Sequence, residues 1–171
     1  MQDRQKREVF SSLASRFQRN KGDKPGHVRP PYNEDDSLFR QSCPSCVDAP
    51  CVTICEEDII KIADDGTPFL TFMDSGCTFC KECANVCPSG VLALSEIVED
   101  KINAKFSINT ATCLAWNSVM CSSCLDACDE RAVVFFGVFR PTIDMSKCTA
   151  CGFCYGVCPE YCVEFKPSKE K

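Results

Sequence analysis

Histidine is almost missing from this chain: of 171 residues only His27 carries an imidazole. A Rieske centre, a histidine metal site and a histidine general acid or base are therefore closed to everything beyond residue 27. Long apolar runs are missing too. The longest unbroken stretch, Ala132 to Phe139, falls far short of the ~20 residues that span a bilayer, so no transmembrane segment is expected. Glycine is scarce, and Gly152 and Gly156 fall between cysteines rather than in a phosphate-binding loop. No flavin or nicotinamide site, no nucleophile elbow and no small-molecule substrate site is visible.

Positive charge is scarce outside one region. Residues 1–30 hold eight Lys and Arg against three Asp and Glu, whereas the remainder holds 11 against 21, within a formal net charge of −5. The acidic body would repel phosphates and has no basic stripe with interleaved aromatics, so a nucleic-acid partner is not expected.

What the chain has in excess is cysteine, 17 residues, far above ordinary usage. A secreted disulfide scaffold would bring a signal peptide and usually an even cysteine count, and neither marks this sequence. The thiols fall into four quartets and one remainder: Cys43, Cys46, Cys51, Cys55; Cys77, Cys80, Cys83, Cys87; Cys113, Cys121, Cys124, Cys128; Cys148, Cys151, Cys154, Cys158; and Cys162. The second and fourth quartets share the spacing C-x2-C-x2-C-x3-C-P, by which bacterial ferredoxins hold [4Fe–4S] clusters. Two intervening residues let a tight loop turn successive thiolates toward one inorganic cube. The fourth cysteine, expected at the start of a helix-like turn, points to the neighbouring cluster. Zinc instead favours two C-x2-C pairs a dozen or more residues apart.

The first and third quartets are stretched, yet a stretched quartet precedes a compact one twice, which reads as an internal duplication. A second repeat agrees with it. Four, five and seven residues after the last cysteine of each quartet stand Ile59, Ile60, Ile62; Val91, Leu92, Leu94; Ala132, Val133, Phe135; and Cys162, Val163, Phe165. Each triad reads as a short strand leaving a one-turn helix. Further strands are expected at Phe69 to Met73 and Thr142 to Met145. Cys162 stands where the other copies hold Ile, Val and Ala, which marks it as a small buried hydrophobe.

The expected fold is α+β: two tandem bacterial-type ferredoxin-like lobes of two [4Fe–4S] clusters each, over residues 37–100 and 101–171, behind a basic extension over 1–36. Lobes this small and poor in large aliphatics need the clusters as their core, so iron-free chain should be largely unfolded. All sixteen quartet cysteines are candidate cluster ligands, four clusters in all. Ferredoxin pairing groups Cys43, Cys46, Cys51 with Cys87; Cys77, Cys80, Cys83 with Cys55; Cys113, Cys121, Cys124 with Cys158; and Cys148, Cys151, Cys154 with Cys128. A nested alternative pairs quartet one with four and two with three. Glu56, Glu57, Asp129 and Glu130 follow the stretched quartets, and carboxylates there would lower the potentials of nearby clusters. Four oxidised clusters would bring the net charge to about −13, suited to a basic patch on a redox protein.

Residues 8–19 place Phe10, Leu13 and Phe17 on one helical face. Lys6-Arg7 faintly suggests a twin-arginine export signal, but no apolar h-region follows it, so cytoplasmic residence is expected. The basic extension, RPPY at Arg29 to Tyr32, and TCLAWNSVMCSSCLDACDE at 112–130 together resemble the NapF type of ferredoxin across nearly the whole chain. The four quartets are common to many polyferredoxins. RPPY and the Leu114-Ala115-Trp116 run are the more specific marks. Tyr32 stands where tryptophan is common in that family, and Cys162 is extra. The resemblance implies a four-cluster accessory protein without enzymatic activity, acting on the catalytic subunit NapA of periplasmic nitrate reductase before its export. The alternative is an electron-wire subunit of a larger molybdoenzyme or other oxidoreductase.

Overall fold

The computed structural model describes residues 27–94 and 99–168. The helix expected over 8–19, and with it most of the basic extension, lies outside the described residues. Those that are described form short elements in the order α1 (Asp36–Ser42), α2 (Pro50–Thr53), β1 (Ile60–Ile62), β2 (Pro68–Leu70), α3 (Glu82–Asn85), β3 (Ala104–Ile108), α4 (Ser123–Asp126), β4 (Val133–Phe135), β5 (Pro141–Ile143), α5 (Phe153–Gly156) and β6 (Val163–Pro167).

The cysteine spacing writes the same local structure four times. The third cysteine of each quartet, Cys51, Cys83, Cys124 or Cys154, rides one of the one-turn helices α2 to α5. The fourth lies just past the helix end, not at its start as the sequence had suggested, because the helix must finish before the chain can swing that thiol away. From Cys55, Cys87, Cys128 and Cys158 the carbonyl accepts from the backbone N–H of Asp58, Gly90, Arg131 and Tyr161 at 3.0, 3.3, 3.0 and 3.1 Å. Those four donors all sit at positive φ, 52, 65, 50 and 48°. Only one is glycine, so three copies hold a left-handed residue that costs on the order of 1–3 kcal/mol and must be fixed by what surrounds it.

Three of the four apolar triads continue as strands, β1, β4 and β6. β1 pairs antiparallel with β2, Ile60 opposite Leu70, and β4 with β5, Val133 opposite Ile143. The strands expected at Phe69 and Thr142 start one residue earlier and are shorter. β6 pairs with β3, Phe106 opposite Phe165, a partner the sequence reading had not placed. The second triad makes no strand among the described residues, though Val91 and Leu92 are buried. The Leu70 N–H donates to the Val28 carbonyl at 2.8 Å, so the segment that carries Pro30 and Pro31, which lack N–H groups, enters along β2. Asn33 Nδ2 donates to the Val91 carbonyl at 2.6 Å.

The RPPY segment is buried against this first half. Arg29 is 8% exposed; it donates from Nε to Asp36 Oδ1 at 2.7 Å and from Nη1 to Thr67 Oγ1 at 2.7 Å and the Pro68 carbonyl at 2.8 Å. Its guanidinium lies 5.2 Å from the Phe39 ring centroid. The buried cation is thus paired and hydrogen-bonded, the condition under which burial is tolerated.

The two halves meet at Phe72. Its fully buried ring lies 5.6 Å from Phe106 and 5.0 Å from Phe165. Opposite it stands Gly152, at φ +92°, where an added Cβ would come within 2.1 Å of the Phe72 ring. The Cys77 N–H donates to the Cys151 carbonyl at 2.7 Å, so backbone hydrogen bonding as well as aromatic packing joins the halves.

Candidate functional site

Four cavities open among these loops, and each is lined by three cysteines of one quartet and the last cysteine of its neighbour. Cys43, Cys46 and Cys51 share the first with Cys87. Cys77, Cys80 and Cys83 share the second with Cys55. Cys113, Cys121 and Cys124 share the third with Cys158. Cys148, Cys151 and Cys154 share the fourth with Cys128. The grouping is the adjacent one, not the nested one. The one-turn helices produce it, since each holds its third thiol over its own loop and releases the fourth two residues beyond its end.

In the same order the cavities measure about 380, 470, 300 and 340 Å³, open solvent at their mouths included. Each cavity brings four thiols to one shared space. Soft donors spread in fours about such a volume fit a [4Fe–4S] cluster.

Burial governs the thiols. It pushes Cys77 up to about 12; Cys83 rises to about 12 by burial and then by the charges of Cys77 and Cys80. Cys51 and Cys124 rise to about 11 by burial and then by neighbouring thiols. A coordinated positive core would invert this balance by favouring the thiolates. The fourth cysteines are already aided by the backbone: N–H groups of Leu92, Ala132 and Cys162 donate to the Sγ atoms of Cys87, Cys128 and Cys158 at 3.4, 3.3 and 3.3 Å. Burial pushes Cys87 and Cys158 up, but hydrogen bonds outweigh it and hold both below the ordinary thiol value.

Cys162 is buried, as its place in the repeat suggested, but it also lines the third cavity and approaches the Cys158 sulfur to 3.3 Å. Of the carboxylates singled out from the sequence, Glu56 and Glu57 line the second cavity and Glu130 the fourth, whereas Asp129 lines none. The stretched third loop is pinned by Trp116, whose Nε1–H donates to the Pro141 carbonyl at 3.0 Å, and by Asn117, whose Nδ2 donates to the Cys113 carbonyl at 2.8 Å. This gives the Leu-Ala-Trp mark its structural role.

Two polar groups at the cavities carry no mark in the cysteine spacing. Among the described residues the buried side-chain polar atoms without a partner are the Tyr32 and Thr149 hydroxyls. Tyr32 lines the second cavity and Thr149 the fourth. The presence of both beside thiol quartets suits cavities that take a sulfur-rich acceptor. RPPY drew attention to Tyr32 only as a family mark, and nothing in the spacing reveals which way a hydroxyl faces.

Comparison with known proteins agrees with this chemistry. A family model described as a 4Fe-4S dicluster domain matches residues 69–130, and one described as a 4Fe-4S binding domain matches 141–164. The first window spans quartets two and three, which do not share a cavity; the match follows the order of the chain, whereas the cavities join quartets one with two and three with four. The chain is 34% identical over 136 residues to ferredoxin-type protein NapF of Escherichia coli K12, covering 77% of this chain and 80% of that one. It is 31% identical over 150 residues to the methylamine utilization ferredoxin-type protein MauM of Methylobacillus flagellatus, covering 77% and 63%. With ferredoxin-type protein NapG of Haemophilus influenzae it shares 28% over 154 residues, covering 77% and 54%. A ferredoxin-type iron–sulfur protein on every one of these counts, the chain belongs to the NapF family.

Proposed function

We propose that the chain holds four [4Fe–4S] clusters through its sixteen quartet cysteines, in two lobes behind a basic extension. In this reading it serves in the cytoplasm as an accessory electron-transfer and maturation protein for the catalytic subunit NapA before that subunit is exported. The observation that carries the four-cluster reading is the 3 + 1 sharing of thiols around four separate cavities. Bound clusters supply one-electron chemistry at low potential. The protein's own residues supply the rest. Sixteen thiols bind, backbone N–H groups orient three of the four fourth sulfurs, and Ile59, Leu70, Phe106 and Val133 help to exclude water. NapA enters from the kinship with NapF.

A second reading, an electron-wire subunit of a larger oxidoreductase, has one observation in its favour. The Cys77 N–H donates to the Cys151 carbonyl across the halves, which brings a residue of the second cavity against one of the fourth, as a wire would need.

Anaerobic iron and sulfide analysis tests the cluster count: about sixteen iron atoms per chain are expected, and zinc, or half that iron, refutes it. For the partner, tagged chain is used to capture proteins anaerobically from cells making the NapA precursor, with and without residues 1–26. The cut is at 26 because Val28 and Arg29 are buried in the fold. Capture of the precursor by intact chain alone supports docking through the extension. Purification as an inseparable complex with another oxidoreductase selects the wire reading.

A further inference from the structure

Tyr32 is 7% exposed, its hydroxyl oxygen is buried, and no protein group among the described residues bonds to it. An unpaired buried donor is destabilising, and phenylalanine would fill the same space without that cost. The backbone is strained as well: Tyr32 sits at φ +76°, a left-handed conformation uncommon for a bulky residue. The strain is held from both sides, by the Arg29 clamp and by the Asn33–Val91 hydrogen bond. Two unfavourable features thus converge on one side chain, and it lines the cavity shared by Cys55, Cys77, Cys80 and Cys83.

We infer that Tyr32 donates a hydrogen bond to a sulfur of the cluster held by Cys55, Cys77, Cys80 and Cys83, and thereby raises that cluster's reduction potential above what the four thiolates alone would set. The inference rests on the four-cluster reading above. A phenol, with an ordinary value of about 10, is protonated at neutral pH and acts as a donor. Thiolate and sulfide sulfurs offer only acceptors, so the pairing is chemically one-way. Each one-electron reduction adds negative charge to the sulfurs, and a fixed O–H dipole aimed at one of them stabilises the reduced state more than the oxidised. The Glu56 and Glu57 carboxylates at the same cavity act in the opposite sense. Tyr32 is therefore a tuning residue, acting on the potential and not on cluster retention.

The test is a dithionite redox titration followed by electron paramagnetic resonance on wild type and Tyr32→Phe, both first shown to hold four clusters by iron analysis. One of the four potentials should shift downward while three stay in place. Four unchanged potentials in fully loaded Tyr32→Phe overturn the inference but leave the cluster count standing; iron below four clusters in wild type refutes the count instead. Should Tyr32→Phe lose iron, the titration is run on fluorotyrosine-labelled chain in which Tyr155 and Tyr161 are phenylalanine. Fluorine strengthens the remaining O–H as a donor, so one potential should move upward, and no movement overturns the inference.

Discussion

The sulfur of Cys162 lies 3.3 Å from that of Cys158, and the Cys162 N–H donates to the same atom at 3.3 Å. One residue thus makes both contacts to the fourth thiol of the third cavity. Burial and the hydrogen bonds to Cys158 and Cys113 push the Cys162 thiol up, which leaves it a neutral S–H donor beside Cys158. Cys162→Ala should keep the full iron content, because the backbone N–H survives, at about 1 kcal/mol of stability. Cys158→Ala should lose about a quarter of the iron. Equal losses in the two variants, read by iron analysis, would make Cys162 a ligand.

Phe72 joins the halves, so its removal should separate them energetically. Phe72→Ala is expected to cost about 3–5 kcal/mol and to turn one denaturant transition into two, followed anaerobically by circular dichroism. Gly152→Ala reaches the same contact from the other side, through a Cβ 2.1 Å from the ring and a φ unsuited to alanine. It should match or exceed that loss. A near-neutral Gly152→Ala would mean that the ring does not hold this position in solution.

The Arg29–Asp36 pair sets an acid limit. Burial pushes the Asp36 carboxyl up, but hydrogen bonds from Arg40 and Arg29 outweigh it and hold the group below its ordinary value. A depressed carboxyl contributes stability that is whole above its unfolded value, about 3.9, and is lost as pH falls through the folded one. Asp36→Asn should therefore cost about 1–2 kcal/mol at neutral pH, less than a fully buried pair because Asp36 is half exposed. The gap to wild type should stay constant from pH 7 to about 5 and close only below about 4. Denaturant unfolding at the higher pH values and rapid acid-jump dichroism at the lower ones read it. A gap that changes between pH 7 and 5 would assign the loss to another group.

Carboxylate position separates Glu56 and Glu130 from Asp129. Glu56→Gln and Glu130→Gln each remove a negative charge from a cavity lining and should raise one potential apiece, a different one in each variant. Asp129→Asn should leave all four in place. Redox titration of the three variants decides it, and identical behaviour of all three would reduce these acids to solvated surface charge.

Iron removal should abolish the fold. The buried hydrophobic side chains include many alanines and cysteines, and a small core of that kind cannot offset chain entropy without its clusters. Native-like circular dichroism with a cooperative melt in iron-free chain would contradict this.

Sixteen thiols in four phased quartets were legible from spacing alone, because a one-turn helix has room for a cysteine at only a few positions. The apolar triads were legible for the same reason, and three of them became strands. The second makes none, and the contact made to it there is the Asn33 side chain on the Val91 carbonyl, from a residue more than fifty positions away. β3 escaped notice until β6 supplied its ladder.

By itself the sequence determined where the thiols stand: how many there are, how they fall into quartets, and which are within reach of one another along a tight loop. Those properties depend on distances of a few residues, over which the backbone has little freedom. Tertiary structure alone decided which fourth cysteine completes which quartet, which carboxylate lies at a cavity, and that the Tyr32 hydroxyl is buried beside one. Each of these is a meeting of atoms distant in sequence, set by how Arg29, Phe72 and Gly152 fit together and not by any local spacing.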